Sequence, residues 1–220
     1  MSEEVIISVS GSHELRLAAE RATVHATVST DGSSRAPVVE HALTLASAVR
    51  TGIQTLETAG SVLQWTSKQL SVRADRPWNH EGNQLAPVFY ASVEFTVTFA
   101  DLAELSTWTT DLSTHEGVNV GHIDWHLSPA TATSTERKVA AEAVRVAVTR
   151  ATAYAEALGL HEVVPLEIAD AGLLSRRDAQ PQGKGAPRIE RMMAMSAPAM
   201  EFQADDITVS ATVEARFRAS

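Results

Sequence analysis

The chain contains no cysteine. Disulfides, thiolate metal sites and a cysteine nucleophile are therefore excluded together. Positive charge is also scarce: 18 Lys and Arg against 27 Asp and Glu leave a formal charge of −9 at pH 7. Nucleic acid and anionic membrane surfaces demand the opposite balance, so neither is expected as a partner. The densest basic group is only the pair Arg176 and Arg177. Long apolar runs are missing, so no membrane span is expected. The opening MSEEVIISVSG lacks the basic start and apolar stretch of a signal peptide. As it stands the chain is expected in the cytoplasm, and a trimmed leader would instead make it an exported protein. Catalytic signatures are lacking too. There is no G-x-S-x-G elbow and no H-E-x-x-H, and GKG at 183–185 has neither the spacing nor the Ser or Thr of a phosphate loop.

What is present reads as a folded α+β chain. Its 220 residues, 44% apolar and 20% charged, suffice for one large domain or two small ones. Glu4–Ser10 is a short strand ended by Gly11, and 14–30 is a longer one in which Ala22, Val24, Ala26 and Val28 alternate with polar residues. From Ala36 to Ala59, apolar residues recur at three and four, giving a helix capped by Gly60. Residues 62–75 form a further strand region, and RPWNHEGNQLAP after it is a loop. VFYASVEFTVTF, residues 88–99, is the clearest strand: Phe89, Ala91, Val93, Phe95, Val97 and Phe99 share one face. Asp101 is placed to cap a helix that stops by Gly117. Residues 118–127 form a strand with Ile123, Trp125 and Leu127 on its apolar side.

After Pro129 comes a long helix in which residues 136–160 hold eight alanines. A thin polar line runs along it through Lys138, Glu142, Arg145, Thr149, Thr152 and Glu156. So wide an apolar surface predicts a helix covered on more than one side. The strand VVPLEIAD follows, with Pro165 marking an edge or a bulge. Residues 171–200, with Met192, Met193, Met195 and Met200 among Pro and Gly, read as a long mobile loop. ITVSATVEARFRA closes the chain as an alternating strand. Alternation of this kind belongs to antiparallel sheets with helices packed on one face. We expect one unit over 1–220, with a division into subdomains of about 1–100 and 101–220 as the alternative.

Several of these segments together resemble the SIMPL-domain family, bacterial proteins of largely unknown function that include periplasmic immunogenic proteins. The likeness rests on IISVSG, on ATVHATVS, on YASVEFTVTFADLAEL, on GVNVGHIDWHLS leading into the helix that ends YAEALGL, and on ITVSATVEARF. It implies an α+β fold, homo-oligomers, and roles in stress tolerance or signalling. It supplies no active-site residues.

One pattern carries chemistry of its own. His122, Asp124 and His126 alternate with Ile123 and Trp125, so all three share the strand face turned away from the apolar side. They are good ligand types for zinc or another transition metal. At about 3.3 Å per residue, His122 and His126 lie roughly 13 Å apart at Cα. A single ion would take a neighbouring pair, with a further ligand from elsewhere in the chain. The plain alternative is a polar outer face on a half-buried strand. Trp78 and His80 offer an aromatic pair in the 76–87 loop, read as a packed anchor rather than a ligand stack. The leading expectation is thus a non-enzymatic, self-associating protein without a cofactor. Its alternatives are metal binding at His122, Asp124 and His126, or a small-molecule or peptide site on the 76–87 and 171–200 loops.

Overall fold

The computed structural model describes residues 4–174 and 204–220. In chain order the elements are β1 (Val5–Leu17), β2 (Arg21–Gly32), α1 (Arg35–Thr58), β3 (Val62–Ser67), β4 (Ser71–Asp75) and β5 (Val88–Phe99). Then come α2 (Leu102–Ser113), β6 (Val118–His126), α3 (Pro129–Ala157), β7 (Val163–Asp170) and β8 (Ile207–Ala219). All strand pairings are antiparallel and three helices accompany them, an α+β fold. These residues fall into two compact units. One comprises 4–18, 128–174 and 206–220; the other comprises 19–127 with 204 and 205.

The unit of residues 19–127 is a five-stranded sheet in the order β3-β5-β2-β6, with β4 also pairing to β5. Its apolar face follows from the period-two alternation of the two longest strands. Ala22, Val24, Ala26 and Val28 of β2 lie beside Val93, Phe95, Val97 and Phe99 of β5, all fully or nearly fully buried. Ala46, Val49 and Ile53 of α1 and Leu105, Trp108 and Leu112 of α2 complete this core. Phe99 and Trp108 meet with ring centroids 5.3 Å apart. Burying each of the two phenylalanines contributes about 2–3 kcal/mol. Local signals set the helix ends. Asp101 Oδ1 accepts from the backbone N–H groups of Ala103 and Glu104 at 2.9 and 3.1 Å, as its N-cap position predicts. Gly60 adopts φ +84° just past α1, the left-handed conformation that closes a helix at low cost in glycine. Entry and exit of the unit adjoin: Glu20 N–H donates to the His126 carbonyl at 2.9 Å.

In the other unit, β8 lies between β1 and β7. β1 and β8 pair without interruption from Val5↔Ala219 to Leu17↔Ile207. The strand expected to stop at Gly11 therefore continues through it. Glycine is required there because α3 lies almost on the β1 backbone: a Cβ on Gly11 would sit 2.1 Å from the Ala143 carbonyl oxygen and 2.6 Å from the Ala147 nitrogen. β7 is an edge strand with a bulge between Pro165 and Glu167, where the missing proline N–H costs no ladder bond.

The expectation for the alanine-rich helix needs correction. α3 buries a single line, Thr135, Val139, Ala143, Ala147, Ala151 and Ala155, against its sheet. Each four-residue step advances about 40° around a helix of 3.6 residues per turn, so this line winds around α3 instead of widening. Ala140, Ala141, Ala153 and Ala157 remain exposed, and so do Val148, Tyr154 and Leu158. Alanine is there both for close approach along the line and for its helix propensity elsewhere.

Candidate metal centre

α1 and α2 cover the apolar face of the five-stranded sheet, and the opposite face is polar. On β2 it shows Thr23, His25 and Thr27; on β5 it shows Glu94, Thr96 and Thr98, which pair with them in register. β6 flanks β2 on the other side, and its register slips between Val24↔Ile123 and Ala26↔Val120. Three steps on β6 thus answer two on β2, which is a β-bulge opposite His25. The extra residue reverses the facing of the strand. Val118 and Val120 pack on the core before it, and Ile123 and Trp125 pack on the core after it. Gly121 makes the bulge possible, since a Cβ there would stand 2.9 Å from the His25 carbonyl oxygen.

The bulge brings His122 over His25. Their rings stack with centroids 4.3 Å apart and planes 19° from parallel. Asp124 reaches both: its Oδ2 is 3.1 Å from His122 Nε2 and 3.5 Å from His25 Nε2. One donor atom from each of His25, His122 and Asp124 lies within 4.8 Å of the other two. The second nitrogen of His25, Nδ1, is 3.3 Å from Thr96 Oγ1. Asp124 is 22% exposed at its side chain, His25 39% and His122 66%. The site therefore has two supported members and one whose ring has room to tilt.

A four-coordinate ion with bonds of about 2.1 Å holds its ligand atoms about 3.4 Å apart, close to the two measured separations. Two imidazoles and one carboxylate suit zinc, copper, nickel, cobalt, manganese or iron, whereas calcium and magnesium prefer oxygen alone. The His122 side chain, 66% exposed, is the member with most room to turn as one ion seats among the three donor atoms. Without an ion the Asp124 carboxylate, which only accepts, stands 3.1 Å from His122 Nε2 and 3.5 Å from His25 Nε2.

The SIMPL family model, described as a protein of unknown function (DUF541), matches residues 7–217. The chain belongs to the SIMPL family. No curated protein matches it.

Among the residues singled out from the sequence of this SIMPL chain, His122 and Asp124 come together and His126 goes elsewhere. His126 Nε2 is 3.1 Å from Thr23 Oγ1, which in turn lies 3.0 Å from Thr98 Oγ1. His25 takes the third place in the cluster. Its signal was visible as a histidine on the polar side of β2, but only the β2–β6 pairing shows that it faces His122. Trp78 does not anchor its loop by burial, since it is 67% exposed. That loop is held by a bridge between Trp78 and Gln84 and by Asn79 Oδ1, which accepts from Glu81 and Asn83 N–H. Two surface hollows, both bounded by Leu43 and Ser47 of α1, include none of the cluster residues. Among the described residues no helix of the SIMPL chain is long and apolar enough to cross a membrane. Of the 171–200 segment only 171–174 is described; GKG and the four methionines lie outside the described residues.

Proposed function

We propose that this SIMPL protein binds a divalent first-row transition-metal ion through His25, His122 and Asp124. The observation that carries this reading is the convergence of three donor atoms, two of them nitrogen, within 4.8 Å on one sheet face. The site is an open binding site. It lies on a broad polar surface, away from both hollows along α1, and leaves coordination positions for water. Such a role accords with the stress-related process that the family likeness implies.

Metal-stripped protein titrated with zinc by calorimetry tests it. One ion per chain is expected, with at least a tenfold loss of affinity in His25→Ala and in Asp124→Asn. Uptake well below one equivalent, or unchanged affinity in both variants, rejects the reading.

Self-association is a second reading, favoured by the outer edge of β1. Among the described residues no strand pairs with that edge. From Val5 to Ser12 it carries no charge, no proline and no bulge, the devices that usually guard an exposed edge. Arg150 Nη1 caps one carbonyl on β1, that of Ser10, at 2.7 Å. A second copy pairing along β1 would extend the sheet. Light scattering coupled to gel filtration is the test, and a strict monomer across micromolar concentrations rejects it.

A further inference from the structure

We propose that Thr96 is a positioning residue which selects Nε2 as the coordinating nitrogen of His25 and reverses its own hydrogen bond when an ion binds. This rests on the metal reading above. His25 and Thr96 are direct partners on β2 and β5, so the two strands fix their separation. A neutral imidazole has one N–H and one lone pair. The Asp124 carboxylate only accepts, so with no ion His25 Nε2 carries the proton toward Asp124 Oδ2 at 3.5 Å. Nδ1 is then the acceptor, and the Thr96 hydroxyl donates to it across 3.3 Å.

An ion at Nε2 demands the opposite. Nε2 must present its lone pair, the proton moves to Nδ1, and Nδ1–H donates to Thr96 Oγ1. A hydroxyl serves in both roles by rotating about its C–O bond, with no movement of heavy atoms. Valine, of nearly the same shape, serves in neither. The stiff χ1 of a β-branched side chain keeps the oxygen where Nδ1 needs it. Partners of this kind, one bond removed from the ion, orient metal-ligating histidines in general, and their loss costs about 10- to 100-fold in affinity.

The test compares wild type, Thr96→Val and Thr96→Ser. Zinc affinity is measured by calorimetry, and the His25 tautomer is read from long-range nitrogen–proton NMR at about pH 8, above the ~6.5 of a free histidine side chain. Wild type without zinc is expected in the Nε2–H form and with zinc in the Nδ1–H form. Thr96→Val should bind zinc at least tenfold more weakly while melting at the wild-type temperature, and Thr96→Ser should stay within about threefold. An Nδ1–H tautomer in the zinc-free wild type overturns the proposal, as does Thr96→Val binding within threefold of wild type. Failure of wild type to take up zinc at all overturns the metal reading and this inference with it.

Discussion

Adding one methyl group at Gly11 of β1 should loosen α3 from its sheet. In Gly11→Ala the new Cβ meets the Ala143 carbonyl oxygen at 2.1 Å, the Ala147 nitrogen at 2.6 Å and the Ala147 Cβ at 3.0 Å. Two of these are backbone atoms, so no side-chain rotation relieves the clash. An ordinary C···O approach is about 3.3 Å, which means the helix must lift by about 1 Å locally. A gap of that size forfeits a quarter to a half of the dispersion attraction of each facing atom pair. The buried line from Val139 to Ala155 would bear that loss. We expect about 3 kcal/mol of destabilisation, the upper end of the cost of overpacking. For a chain of this length that lowers Tm by about 6–12 °C, read by circular dichroism. Gly52→Ala is the matched control. Its Cβ meets only Trp108 Nε1 at 3.9 Å inside α1, so it should raise stability by about 0.5–1 kcal/mol. A Gly11→Ala protein melting within about 2 °C of wild type, or above it, would refute the packing argument.

Other expectations bear on the site and on helix entry. Gly121→Ala places a Cβ 2.9 Å from the His25 carbonyl oxygen. It should undo the bulge and weaken zinc binding about tenfold by calorimetry, and unchanged binding would show that the bulge does not set the site. His126→Ala should leave zinc affinity within about threefold of wild type, because its Nε2 is engaged with Thr23. A tenfold loss there would return His126 to the ligand set. Asp101→Ala removes the acceptor for two N–H groups of α2 and should cost about 1 kcal/mol in urea unfolding, with no change implying that the cap contributes nothing.

The parts of this molecule legible in its sequence are those governed by near neighbours. The span of β5, the faces of β2 and the cap at Asp101 follow from alternation and from one carboxylate beside two amides. Gly60 follows for the same reason, as a local requirement of a helix end. Gly11 suggests a strand end because glycine usually marks a turn, whereas its role here is to admit Ala143 and Ala147 of α3, more than 130 residues away in the chain. Composition predicts cover on more than one side of the alanine-rich helix because it does not distinguish alanine chosen for close packing from alanine chosen for helix propensity. The cluster was half legible. His122 and Asp124 share a face at i and i+2, but His25 joins them only through strand pairing. The change of facing between Val120 and Ile123 was a readable sign of the bulge, since apolar positions pass from even to odd across Gly121.

The hydrogen bond between Glu20 and His126 has a practical corollary. Because residues 20 and 126 meet, excising 19–127 as one cassette is expected to stretch neither end. His25, Thr96, His122 and Asp124 all travel with it. The metal chemistry proposed for the whole protein is therefore open to study in about half the chain, and the cassette is the natural piece to graft elsewhere.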